Sequence, residues 1–105
     1  MHKSDYKVAK ELKEKLSEIV DLIDFRVFGS RARGDMEEDS DMDVFVEVES
    51  LNKELRERIF EVVWEVGFEN NIVISSLIFT RDEVENSPLK VSPIVKNIFE
   101  EGVSV

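Results

Sequence analysis

The stretch Phe28-Gly29-Ser30-Arg31-Ala32-Arg33-Gly34-Asp35, followed by Ser40-Asp41-Met42-Asp43-Val44-Phe45-Val46, decides how this chain reads. A glycine–serine turn closes one apolar run, and two aspartates spaced by two open the next. Successive side chains on a strand alternate faces, so Asp41 and Asp43 point one way and Met42, Val44, Val46 and Val48 the other. The two aspartate Cα atoms then lie roughly 6–7 Å apart, close enough for both carboxylates to share one or two divalent cations. Backbone N–H groups at a turn beside such a pair suit a metal–phosphate complex. Each motif alone is weak, because Gly-Ser is a common turn and most Asp-x-Asp pairs are solvated surface. Their order and spacing make the combination specific.

Composition narrows the surroundings of this stretch. A chain of 105 residues, 42% apolar, is expected to form one domain over 1–105 with one core. No apolar run approaches the length of a membrane span, and no export signal is legible at the N-terminus. Cysteine is absent, which excludes disulfides and thiolate-bound zinc and leads us to expect a cytoplasmic setting. The one histidine, His2, falls in a terminus, so histidine-based chemistry is not expected. The net charge of −10 disfavours nucleic acid as the main partner. Between Gly34 and Asn52 stand Asp35, Glu37, Glu38, Asp39, Asp41, Asp43, Glu47 and Glu49, with no lysine or arginine among them. A bound cation would relieve that repulsion.

Helical spacing of Val8, Leu12, Leu16, Ile19, Val20 and Ile23 predicts an amphipathic helix over Ser4–Asp24, with Ser4 as N-cap. Phe25–Phe28 reads as a short strand, Ser30–Arg33 as a short helix and Met42–Glu49 as a second strand. On that strand the face bearing Asp41, Asp43, Phe45 and Glu47 is expected at the site and its margin. A helix capped by Ser50 or Asn52 runs to about Val66, where Gly67 is expected to end it. On it, Phe60 and Trp64 widen the apolar stripe beyond what one small core needs. Trp64 reads either as core or as a patch facing a partner. Ile72–Phe79 reads as a third strand buried on both faces, and Ser92-Pro93 opens a last helix running to Gly102. A small edge strand at Val103–Val105 closes the chain. This order predicts an α/β (α+β) fold, a small mixed sheet with helices packed on one face.

Gly29-Ser30, then Gly34, then Ser40-Asp41-x-Asp43 resembles the signature of the nucleotidyltransferase superfamily that includes DNA polymerase β. The short chain and the Gly-Ser-Arg-Ala-Arg-Gly wording are similar to its smallest members, the minimal nucleotidyltransferase (MNT) domains. Among these are MntA-like antitoxins encoded beside a helical HEPN partner. The resemblance implies the same fold and a transfer of AMP from ATP, or another nucleoside triphosphate, to a hydroxyl acceptor. It implies Gly29 and Ser30 as nucleotide-binding residues, and Asp41 and Asp43 as metal ligands and catalytic residues. Ser40 is expected to orient the loop. Arg31 and Arg33 either bind phosphate or pair with the acidic loop. Oxygen-only ligation favours Mg²⁺ or Mn²⁺. A HEPN-type protein partner, or a homodimer, is expected, with no membrane association.

One departure from the family pattern bears on turnover. A third carboxylate is usual on the neighbouring strand, and Asn71–Thr80 contains none. Val73 or Ser75 takes its place, and Glu47 lies about 13 Å along the strand from Asp43. Glu69 reaches the site only if the turn before the third strand folds back. Two functions therefore stand side by side at this point. One is a nucleotidyltransferase. The other is a weak or inactive nucleotide-binding subunit that neutralises its partner by contact alone.

Overall fold

The computed structural model describes residues 1–34 and 40–105, and the acidic stretch 35–39 lies outside the described residues. Four strands, β1 (Leu22–Phe28), β2 (Met42–Val48), β3 (Ile74–Thr80) and β4 (Val103–Ser104), form one mixed sheet in the order β3-β2-β1-β4. β1 runs antiparallel to β2 and β4, whereas β2 and β3 are parallel. Among the described residues, five α-helices pack with it, α1 (Lys3–Ser17), α2 (Gly29–Arg33), α3 (Lys53–Glu69), α4 (Arg81–Asn86) and α5 (Pro93–Glu101), and a 3-10 turn at Pro88–Val91 links the last two.

The core forms where α1 and α3 lie on one face of the sheet. Ala9, Leu12 and Leu16 of α1 and Ile59, Val62, Val63 and Val66 of α3 meet Phe25 and Val27 of β1. Met42, Val44, Val46 and Val48 of β2 complete it. The strict alternation of β2 is what commits these four residues to one side and fixes its register. Asn52 caps α3, its side-chain oxygen accepting the Leu55 N–H at 2.8 Å. Thr80 and Glu83 form a reciprocal capping box at the start of α4.

The first helix is shorter than its apolar periodicity predicts. It stops at Ser17, whose hydroxyl donates to the Lys13 carbonyl, and residues 18–20 turn back toward the sheet. Leu22 and Ile23 then enter β1, with Leu22 opposite Val48, and a local register shift separates Leu22 from Asp24. His2, not Ser4, occupies the N-cap position of α1. Gly67 does not end α3 but lies buried within it. A Cβ there would stand 2.6 Å from the Ile72 carbonyl oxygen, so glycine is required for the close return of the chain. β3 is an edge strand with Ser75 exposed, so it is not buried on both faces.

The sheet face bearing Asp43 is covered over its middle. Phe45 is completely buried, with its ring 5.3 Å from Phe99 and 5.9 Å from Phe79. The Arg26 guanidinium lies 4.9 Å above the Phe99 ring. Val95 and Ile98 of α5 are buried as well. Phe45 and Glu47 therefore belong to a second, smaller packing layer rather than to an open margin of the site.

Glu47 is 5% exposed. Burial raises its carboxyl above the ordinary glutamate value of 4.5, Asp24 and Glu85 raise it further, and Arg81 and Arg26 oppose them. A raised carboxyl favours the folded state fully below its unfolded value, and that contribution is lost as pH rises through the folded value. Glu47→Gln keeps the shape and removes the buried charge. The variant is expected to melt higher than the parent at neutral pH, with the gap closing on acidification toward pH 4.5. Thermal melts across that range check this, and a gap independent of pH would exclude the buried charge as its cause.

Candidate active site

β1 ends at Phe28, which sits opposite Asp43 in the antiparallel pair. The chain then turns at Gly29, with φ of +76°, directly into α2. That left-handed conformation favours glycine, and space makes the same demand. A Cβ on Gly29 would lie 2.6 Å from Asp43 Oδ2. The turn and the second aspartate are thus in van der Waals contact through a missing side chain. Asp43 and Ser30 are half-buried, and Asp41 is exposed at the mouth of β2. Burial holds the Asp43 carboxyl above its ordinary value, and the neighbouring charge of Asp41 raises it further.

Arg31 is 8% exposed. Its Nη1 donates to Asp5 Oδ1 at 2.7 Å and its Nε donates to the Ser40 carbonyl at 2.8 Å. One guanidinium therefore ties three segments together: the first turn of α1, the helix after the glycine turn and the entry to β2. Arg33 is exposed and its Nη1 lies 4.0 Å from Glu101 Oε2 of α5. Sequence reasoning missed Asp5. The signal was present, since Asp5 falls at helical spacing with Ala9, Leu12 and Leu16, and an acid in a buried stripe requires a cationic partner.

The place of the absent third carboxylate is also defined. Ser75 is the β3 residue paired with Asp43, and it is exposed. Val73 flanks the start of β2, its carbonyl accepting the Met42 N–H at 2.9 Å. Glu69 lies 3.9 Å from Lys15 of α1, against the helical layer. Among the described residues no group of three or more histidine, cysteine, aspartate or glutamate side chains gathers to hold a metal. The oxygen-only character of the Asp41 and Asp43 side chains would suit a hard divalent cation that takes its remaining ligands from phosphate and water.

These features set a glycine turn beside a carboxylate pair on a small mixed sheet. Residues 7–105 match the model of the nucleotidyltransferase domain, and the chain belongs to that family. A protein of Methanocaldococcus jannaschii named as a protein adenylyltransferase is 33% identical over 94 residues, covering 80% of this chain and 95% of its own. Three crystal structures share the fold. A toxin–antitoxin complex with AMP-PNP superposes with a TM-score of 0.62 at 17% identity, covering 90% of this chain and 70% of that one. A variant of the MntA–HpeT toxin–antitoxin pair gives 0.62 at 13% identity, covering 91% and 70%. A nucleotidyltransferase from Sulfolobus solfataricus gives 0.55 at 22% identity, covering 99% and 87%. The family match and the adenylyltransferase relative make this chain a nucleotidyltransferase.

Two variants probe the geometry. Gly29→Ala should cost about 1–2 kcal/mol of stability for a side chain in the left-handed region. It should also displace the Asp43 carboxylate and weaken metal-dependent ATP binding at least tenfold. Calorimetry alongside a thermal melt reads both, and parent-like ATP binding would mean that Asp43 is not a ligand. Asp5→Ala leaves the Arg31 charge buried without its partner, which costs about 3 kcal/mol or more. Chemical denaturation measures that loss, and a cost under 1 kcal/mol would mean that the pair is not structurally important.

Proposed function

We propose that this chain transfers AMP from ATP to a hydroxyl group on a HEPN-type helical partner protein, in the manner of an antitoxin. The observation that supports the reading is the close approach of the Gly29 backbone to the Asp43 carboxylate, 2.6 Å from where a Cβ would stand. Asp41 and Asp43 would hold Mg²⁺ or Mn²⁺, and the cation would supply Lewis-acid neutralisation of phosphate charge when bound. Gly29 lets the backbone approach the phosphates without an intervening Cβ. Ser30 offers its N–H and hydroxyl to a terminal phosphate oxygen. Arg31 acts through position, because Asp5 and the Ser40 carbonyl occupy its guanidinium, and Ser40 sets the entry to the strand that bears both aspartates. Arg33, at the exposed end of α2 and 4.0 Å from Glu101, would bind phosphate only by exchanging contacts it already makes.

In the transfer, the acceptor oxygen forms a bond to the α-phosphorus and the bond to the pyrophosphate oxygen breaks. The acceptor's proton passes to solvent. A tyrosine is the favoured acceptor, since a phenol with pKa near 10 loses its proton more readily than an aliphatic alcohol. Ser75 opposite Asp43 favours a second reading as well. With no carboxylate there to take the proton, turnover is slow or absent, and the chain neutralises its partner by binding it.

Label transfer from α-³²P-ATP to the co-purified partner separates the two. Label on the partner with a mass gain of one AMP, lost in Asp41→Asn/Asp43→Asn, is the expected result. An unlabelled but still inhibited partner, with either metal, would leave only the binding reading.

A further inference from the structure

The outer side of α3 carries two parallel files of residues spaced four apart. Phe60, Trp64 and Phe68 form one, and Glu57, Glu61 and Glu65 form the other. Residues four apart share a helix face, so each file is continuous. Trp64 is 66% exposed and Phe68 is 70% exposed, and their rings stack 5.1 Å apart with planes 10° from parallel. Val73 is as exposed as Trp64. Trp64 and Phe68 border a groove of about 370 Å³ that runs past Gly67 and Ile72 to Val73. A second hollow lies between Phe60, Trp64 and the three glutamates. The core is already complete without these side chains, since α3 meets the sheet through Ile59, Val62, Val63 and Val66. A contiguous aromatic patch left in water marks an interaction site.

We propose that this surface docks an amphipathic helix of a partner protein, one whose apolar ridge is flanked by lysine or arginine. Charge decides the occupant. Among the described residues, only Glu61 of the three glutamates has an intramolecular ion pair, with Arg58 at 3.3 Å. An antiparallel two-fold pairing of α3 with a second copy would bring like flanks together, acidic file against acidic file, and any pairing joins chains that each carry −10. A basic flank turns the same file into attraction. The aromatic file spans Phe60 to Phe68, about 12 Å at 1.5 Å per residue, which matches two turns of a docked helix.

The groove also has a direction. It ends at Val73, whose carbonyl is bonded to the N–H of Met42, between Asp41 and Asp43. A helix seated on α3 therefore approaches the end of the sheet where the carboxylate pair stands. That last step deepens the proposed AMP transfer and rests on it, whereas the docking itself does not.

Trp64 is the only tryptophan, so its fluorescence reports the surface directly. The probes are three tryptophan-free synthetic helical peptides: a leucine ridge flanked by lysine, the same ridge flanked by glutamate, and a lysine-flanked serine ridge. The first alone should give a saturable blue shift, weakening as salt rises. Its affinity should fall at least tenfold in Phe68→Ser, and likewise in the Glu57→Lys/Glu65→Lys double variant, while ATP binding by both variants stays at the parent level. Equal binding of all three peptides, or none by the first, would overturn the proposal. A concentration-dependent dimer abolished by Phe68→Ser would overturn it too, by making a second copy the occupant. Peptide binding that persists in a parent unable to bind ATP would support the docking while refuting the nucleotide reading alone.

Discussion

The candidate site depends on how closely the backbone at Gly29 approaches the Asp43 carboxylate. The antiparallel pairing of β1 with β2 sets Phe28 across from Asp43, and the chain must leave the sheet immediately afterwards. Glycine suits that exit, because its backbone is left-handed there and a Cβ would stand 2.6 Å from the Asp43 carboxylate oxygen. The pairing in turn rests on β2, whose alternating valines cannot slip by one residue without turning their apolar set away from α1 and α3. The core and the site are thus two faces of one register.

Arg31 shows how a residue beside such a turn can serve it without facing the ligand. A guanidinium placed two residues after the glycine looks like a phosphate binder. Here two of its donors are directed inward, to a carboxylate and a backbone carbonyl. The result is a stiff connection between the turn and the start of β2. Positioning of this kind matters because displacements of an ångström between a metal ligand and a phosphate cost orders of magnitude in rate.

The local parts of this arrangement were legible in the sequence, and the long-range parts were not. Gly29-Ser30 and Asp41-x-Asp43 declare a turn and a strand entrance within sixteen residues, and strand alternation does the rest. The mixed sheet and the sequence of elements followed from periodicity. Residues 19–23 misled, because apolar side chains at helical spacing are equally apolar in a strand, and pairing with Val48 won. Phe45 misled for a different reason: alternation put it on the carboxylate face, but its burial depends on Phe99, fifty-four residues later. Gly67 was read as a helix end from local preference, whereas its role comes from the returning chain at Ile72. The exposure of Trp64 was open because periodicity gives the face of a helix but not what covers it.

The buried pair between Asp5 and Arg31 has a consequence for local opening. It anchors the site to the first turn of α1, the part of a helix with the fewest backbone bonds, where the Tyr6 N–H reaches back to the His2 carbonyl. Helix ends open far more often than the structure as a whole unfolds. A fraying event that withdraws Asp5 takes its ion pair with Arg31 away as well. Loosening of one helical turn is thereby coupled to the connection between the glycine turn and the entry to β2, while the sheet and its core stay intact.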